Sequence, residues 1–226
     1  LNIDNPVNSY EDAVQILHHV GILPLATLIP NHPSLGSITN SSDWHTGTSM
    51  DPWLWRVRFA GDGSAAYGKF IKKKSILIAK EIVPWVKAIV GHETSPSERY
   101  TDGLISGTAL KLYQLIEAEP GIETRALRSQ SGLKAADHKK EYDQAITDLQ
   151  ATMDIVISGV KERFNDAGDK NGWNSTSFET SSYWMTNNHV HANGIDITEA
   201  KDKLQIWLEI RCSPEAFAYL RKVFSL

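Results

Sequence analysis

Residues 104–161 read LISGTALKLYQLIEAEPGIETRALRSQSGLKAADHKKEYDQAITDLQATMDIVISGVK, and the order of breaks in this stretch decides the fold. Leu112, Leu115 and Ile116, with Ala109 beneath them, place an apolar stripe on 104–118 at helical spacing. Pro120-Gly121 ends that helix, and Thr124 is placed to cap a short one that Gly132 terminates. Tyr142, Ala145, Ile146 and Leu149 then predict a third helix over about 137–151. MDIVISGVKERF is β-branched and partly alternating, NDAGDKNG (165–172) has turn chemistry, and WNSTSFET reads as a returning strand. Helix, turn, short helix, turn, helix and two-stranded hairpin is the order of a winged helix-turn-helix.

That order carries a functional expectation. The third helix of such a unit lies in a major groove while the wing meets the neighbouring backbone. Lys139, Lys140, Gln144 and Thr147 are the outward residues able to donate to phosphates or base edges, with Arg125 and Arg128 on the preceding helix as further phosphate contacts. Glu141, Asp143 and Asp148 on the same helix repel a phosphate backbone. Residues 99–164 hold nine basic and ten acidic side chains, so the motif has no basic excess of its own. The plainer alternative is a winged helix that binds protein.

Outward from this unit, SYEDAVQILHHV (9–20) predicts an amphipathic helix with Ser9 as its N-cap and Ala13, Ile16, Leu17 and Val20 inward. Residues 30–52 turn to Ser, Thr, Asn, His, Gly and Pro, a loop longer than a compact domain usually carries. GHETSPSER (91–99) is the best linker. The tail predicts two helices, about 197–211 and 214–225, divided at Ser213-Pro214. The expected class is α+β, mainly α: an N-terminal helical region (1–98), the winged helix (99–196) and a helical tail (197–226).

The chain has 226 residues and a net charge of −4, which excludes a uniformly basic nucleic-acid coat. The charge is unevenly divided. Residues 53–90 carry eight Lys/Arg against Asp62 and Glu81, so this segment stands at +6 and the remainder at −10. Lys69, Lys72, Lys73 and Lys74, together with Lys80 and Lys87 and interleaved with Tyr67, Phe70 and Trp85, form a plausible phosphate-tracking surface. The alternative is a solvated helix face, because three adjacent lysines point different ways around a helix.

Cys212 is the single cysteine, expected as a small buried hydrophobe, so no intramolecular disulfide can form. No run of about 18 apolar residues is present, and no membrane association is expected. A cytoplasmic location is the default expectation. His189-x-His191 lacks a convincing third ligand, and DAGDKNG lacks the bidentate Glu of a calcium loop, so neither metal nor cofactor is expected. Trp44 and Trp53 offer a base-stacking loop, although stapling that loop onto the core is the favoured reading.

DGLISGTALKLYQLIEAEPGIETRALRSQSGL and AITDLQATMDIVISG, with WHTGTSMDPWLWRVRF and AAYGKF upstream, resemble the bacterial AlkZ-related proteins. That group is placed near the AlkZ/YcaQ winged-helix DNA glycosylases, and the similarity runs from about Tyr10 into the tail. The glycosylases use a Gln-x-Gln or Gln-x-Asp motif to position a water or stabilise the developing sugar cation. Gln150 matches its first position and Thr152 stands at the second, where a hydroxyl can orient water but cannot stabilise positive charge as a carboxylate does. The resemblance thus implies Gln150 and Thr152 as the catalytic positions. Three functions stay open: a regulatory or repair-associated binder of duplex DNA, a glycosylase acting on alkylated bases, and a protein-interaction module partnered by another protein or a second copy of the chain.

Overall fold

A computed structural model of the protein describes residues 6–161, 174–191 and 194–226. The expected turn at 165–172 lies outside the described residues. The architecture is mixed α/β, with helices packed around two small three-stranded antiparallel sheets.

The chain opens with α1 (Tyr10–Val20), capped as expected: Ser9 Oγ accepts from the Asp12 N–H. Gly21 follows at φ 78°, ending the helix in the left-handed region that glycine enters without strain. The next elements are β1 (Ile22–Pro24), α2 (Pro52–Gly61), β2 (Ala65–Ile71) and β3 (Lys74–Ala79). The long connection 25–51 is tied at its end by Asp51, whose buried carboxylate accepts from the backbone N–H groups of His45, Gly47 and Trp53. Burial pushes that carboxyl up, but the three N–H bonds outweigh it and hold it below the usual carboxylate range.

The N-terminal part differs from the helical region expected of it. β1, β3 and β2 form an antiparallel sheet, and the lysine run lies at a hairpin tip. Ile71 pairs with Lys74, so Lys72 and Lys73 make the two-residue loop, at φ 48° and 61°. The segment IKKKSILIA follows strand periodicity because Ile76, Leu77 and Ile78 all find buried partners on the two faces of the sheet. Two lysines in the left-handed region cost roughly 1–2 kcal/mol each, where Asn-Gly would be preferred.

Next come α3 (Val83–Val90), α4 (Pro96–Thr101), α5 (Gly107–Ala118), β4 (Ile122–Glu123), α6 (Thr124–Gln130), α7 (Lys139–Ala151), β5 (Ile155–Lys161) and β6 (Ser175–Thr180). The second sheet has the order β4-β6-β5. Thr124 does not cap α6: Glu123 is the N-cap, and the Thr124 hydroxyl donates to the Thr176 carbonyl. The stretch 91–99, expected as a linker, contains the start of α4, where Ser95 and Glu98 form a reciprocal capping box. The tail adds α8 (Ser181–Asn187), α9 (Ile197–Arg211) and α10 (Pro214–Phe224), the last two matching the expected pair.

One buried cluster runs from Val7 to Phe178 and includes Leu17, Trp55, Leu77, Leu112, Ile146 and Ile157. A second lies between the N-terminal sheet and the tail, around Ile78, Trp184, Leu208 and Phe224. Cys212 is half-buried against it, and burial pushes its thiol up to about 11. No helix of the described residues is long and apolar enough to cross a membrane.

A polar tie fixes the N-terminal sheet against α7. Gln150, 1% exposed, accepts at Oε1 from the Lys69 N–H (2.9 Å) and donates from Nε2 to the Ile146 carbonyl (3.1 Å). Gly68 permits this approach, since a Cβ there would stand 3.3 Å from Gln150 Oε1 and 2.6 Å from the Phe70 ring. Gln150→Leu leaves the Lys69 N–H without its partner and should destabilise the protein by about 1–3 kcal/mol in urea unfolding. A change within about 0.5 kcal/mol, the range of an ordinary surface substitution, would show that the tie is dispensable.

Glu179 pairs across the second sheet with Val156, and burial raises its carboxyl to about 7. A carboxyl raised on folding contributes fully below its unfolded pKa, and that contribution is lost as pH rises through the folded value. Stability should therefore fall between about pH 4.5 and 7. Glu179→Gln should raise the melting temperature at pH 8 and leave it nearly unchanged at pH 4; equal shifts at both would contradict this assignment.

Candidate nucleic-acid interface

Helix α7 has one buried and one exposed face. Tyr142, Ala145, Ile146 and Leu149 pack inward, while Lys139, Lys140, Asp143, Gln144 and Asp148 are exposed. The tip of the β2–β3 hairpin reaches this outer face, where Lys73 Nζ stands 3.4 Å from Gln144 Oε1. Together they border a cleft of about 470 Å³ whose walls include Lys73, Lys139, Lys140, Gln144 and Thr147. Asp137 and Asp143 also line it, so three cations face two carboxylates. Gln144 is held in place from its other side, donating from Nε2 to Asp148 Oδ1 (2.6 Å).

The remaining expected contacts are distributed differently. Lys69 is exposed on β2, with its backbone held by Gln150. Lys72 Nζ sits 4.6 Å above the Tyr219 ring on α10, and Lys74 borders a separate groove beside Leu25 and Leu28. Arg128 directs its fork to the carbonyls of Leu133, Lys134 and Ala135, closing the turn between α6 and α7. Arg125 Nε lies 3.6 Å from Glu123. Thr147 is 8% exposed and donates its hydroxyl back to the Asp143 carbonyl, so its side chain bonds within its own helix.

Gln150 and Thr152 do not form an open pair. Both ends of the Gln150 amide are bonded inside the protein, as described above. Thr152 is the C-cap of α7, and its Oγ1 lies 2.5 Å from Asp154 Oδ2. The arrangement offers no exposed amide with which to orient a water.

A polar cluster at the C-terminal end of α7 was not expected from the sequence. Arg99 on α4 is 1% exposed and places Nη2 at 2.7 Å from Asp154 Oδ2. Lys87 on α3 donates to the Met153 carbonyl (2.9 Å) just past the helix end, where positive charge complements the helix dipole. Burial pushes the Lys87 amine below its ordinary range; Asp154 opposes this, and Arg99 adds to it. The one signal for this cluster was Ser95-Pro-Ser-Glu98, a capping box that announces α4 and turns Arg99 inward.

The tryptophan loop divides between its two readings. Trp44 packs against the core and donates to Thr39 Oγ1 (3.0 Å). Trp53 is 41% exposed, with the Arg56 guanidinium 3.6 Å from its ring centre and the His45 ring 4.9 Å away. The deep anchor of this region is Trp55, which is 2% exposed and donates to the Ser49 carbonyl. Among the described residues no group of three His, Cys, Asp or Glu side chains is placed to hold a metal ion.

A family model described as AlkZ related matches residues 7–225. No curated protein and no solved structure matches the chain. With nearly its whole length matched, this chain belongs to the AlkZ-related family.

Proposed function

We propose that the protein is a non-catalytic binder of duplex DNA, associated with DNA repair or its regulation, that uses a winged helix. The observation that carries this reading is the meeting of Lys73 with Gln144 over a cleft shared with Lys139 and Lys140. It recruits part of the basic segment 53–90 to a helix whose own unit has no basic excess.

Two further features support it. The order α5-β4-α6-α7-β5-β6, with β6 between β4 and β5, matches the connectivity of a winged helix in which α7 is the reading helix. Membership of the AlkZ-related family points towards DNA repair. On this reading residues 99–196 form the reading unit, the N-terminal region 1–98 supplies the hairpin, and the tail 197–226 closes the second core. Lys139, Lys140 and Lys73 contact phosphates, Lys69 extends that track, and Gln144 reaches a base edge once its bond to Lys73 is exchanged. The internal engagement of Gln150 favours a structural role for it over glycosylase chemistry.

Fluorescence anisotropy on a labelled duplex at low salt checks the first claim. The wild-type chain should bind, with affinity falling steeply as salt rises, and Lys139→Glu/Lys140→Glu should remove measurable binding. Absence of wild-type binding at low salt would sink the proposal. A methylated duplex incubated with the protein should release no free base. Release that Gln150→Ala abolishes would overturn the non-catalytic reading and favour the glycosylase.

A further inference from the structure

Three acids lie on α7, and they are used differently. The Glu141 carboxylate accepts from the Thr108 hydroxyl on α5 and lies 3.3 Å from His138 Nδ1. Asp148 accepts from Gln144 Nε2 (2.6 Å). Asp143, one turn after Lys139 and Lys140, is exposed and lines the cleft beside Lys73. Among the described residues its carboxylate has neither a hydrogen bond nor an ion pair. An i,i+4 pair with Lys139 is the ordinary use of such an acid, and here it is not made. An unpaired carboxylate on this face opposes phosphate, so it lowers affinity for every duplex unless a base contact offsets it.

Between the lysines, the outer face thus offers one free acceptor beside one half-used donor. Thr147 turns its hydroxyl back onto the Asp143 carbonyl. Gln144 Oε1 faces Lys73, and its Nε2 carries two hydrogens, of which Asp148 takes one. A carboxylate next to an amide N–H complements an amino group next to a carbonyl. Both kinds of base pair present those two groups in the major groove, but in different company. In an A·T pair the adenine amino group has N7 on its other side, and that lone pair repels a carboxylate. In a G·C pair the cytosine amino group ends the row beside a C–H, with guanine O6 next to it.

We propose that Asp143 is a base-reading residue of the α7 face, accepting from the N4 amino group of cytosine while Gln144 Nε2 donates to O6 of the paired guanine. On the DNA-binding reading, on which this assignment rests, Lys73, Lys139 and Lys140 hold phosphates and these two side chains select G·C pairs. The carboxylate also weakens binding wherever no cytosine amino group meets it, so it discriminates by repulsion as well as by contact.

Fluorescence anisotropy with the full chain at low salt tests it on three duplexes of one length, rich in G·C, in A·T or in inosine·cytosine pairs. Inosine lacks the 2-amino group of guanine, so its pairs keep the major groove of G·C and take the minor groove of A·T. The wild-type chain should bind the G·C and inosine·cytosine duplexes about tenfold more tightly than the A·T duplex. Asp143→Ala should abolish that difference. Asp143→Asn, whose amide matches adenine N6 and N7, should turn it towards A·T. Equal wild-type binding to all three duplexes, or binding that groups inosine·cytosine with A·T, overturns the assignment and leaves the DNA-binding reading in place. A preference that survives Asp143→Ala does the same. So does an Asp143→Ala variant that gains affinity equally on all three, because the carboxylate then only repels phosphate. Absence of binding to any duplex overturns both.

Discussion

The side chain of Gln150 sets the geometry on which the rest of this molecule depends. It leaves the last turn of α7, keeps one amide hydrogen for its own helix, and gives its oxygen to the backbone of β2. That bond holds the strand where its pairing with β3 shifts register, between Gly68 and Ile71. Two residues later the strand ends in a two-residue loop, and the second loop residue, Lys73, arrives beside Gln144. A buried polar contact thus positions an exposed one. The same end of α7 is secured further by Lys87 on the Met153 carbonyl and by the Arg99–Asp154 pair.

The same geometry divides the positive charge of residues 53–90 among different tasks. Lys73 meets α7, Lys72 covers the Tyr219 ring of the tail, and Lys87 is drawn under the end of α7. A segment with a net charge of +6 therefore does not act as one basic surface. A single hairpin lysine joins Lys139 and Lys140 at a cleft that Asp137 and Asp143 also line, on a chain whose total charge is −4.

Local chemistry was legible where one stretch of chain decides its own conformation. Ser9 capping α1, the breaks at Pro120-Gly121 and at Gly132, and the apolar stripe of α7 all appear in the fold. Thr124 was misread because a hydroxyl at a helix start has two uses, and a carbonyl on β6, 52 residues away, took it. The hairpin at Lys72–Lys73 was hidden because two lysines are unusual residues for positive φ, and the pairing of Ile71 with Lys74 is a tertiary outcome. At the candidate interface Lys139, Lys140 and Gln144 were readable from helical spacing. Their junction with Lys73 was not, since it depends on Gln150 reaching the backbone of a strand 81 residues away. Arg99 looked like one more charge in a polar stretch, and only packing reveals it as a buried ion.

The most direct test of the account is the slope of log affinity for duplex DNA against log salt, measured for Lys73→Gln and Lys72→Gln beside the wild-type chain. Each phosphate contact removed lowers that slope by about 0.9. The account predicts this loss for Lys73→Gln and an unchanged slope for Lys72→Gln, because the first lysine lies on the face of α7 and the second on α10. An unchanged slope for Lys73→Gln, or equal losses for the two neighbours, would contradict the claim that the hairpin tip and α7 form one nucleic-acid surface.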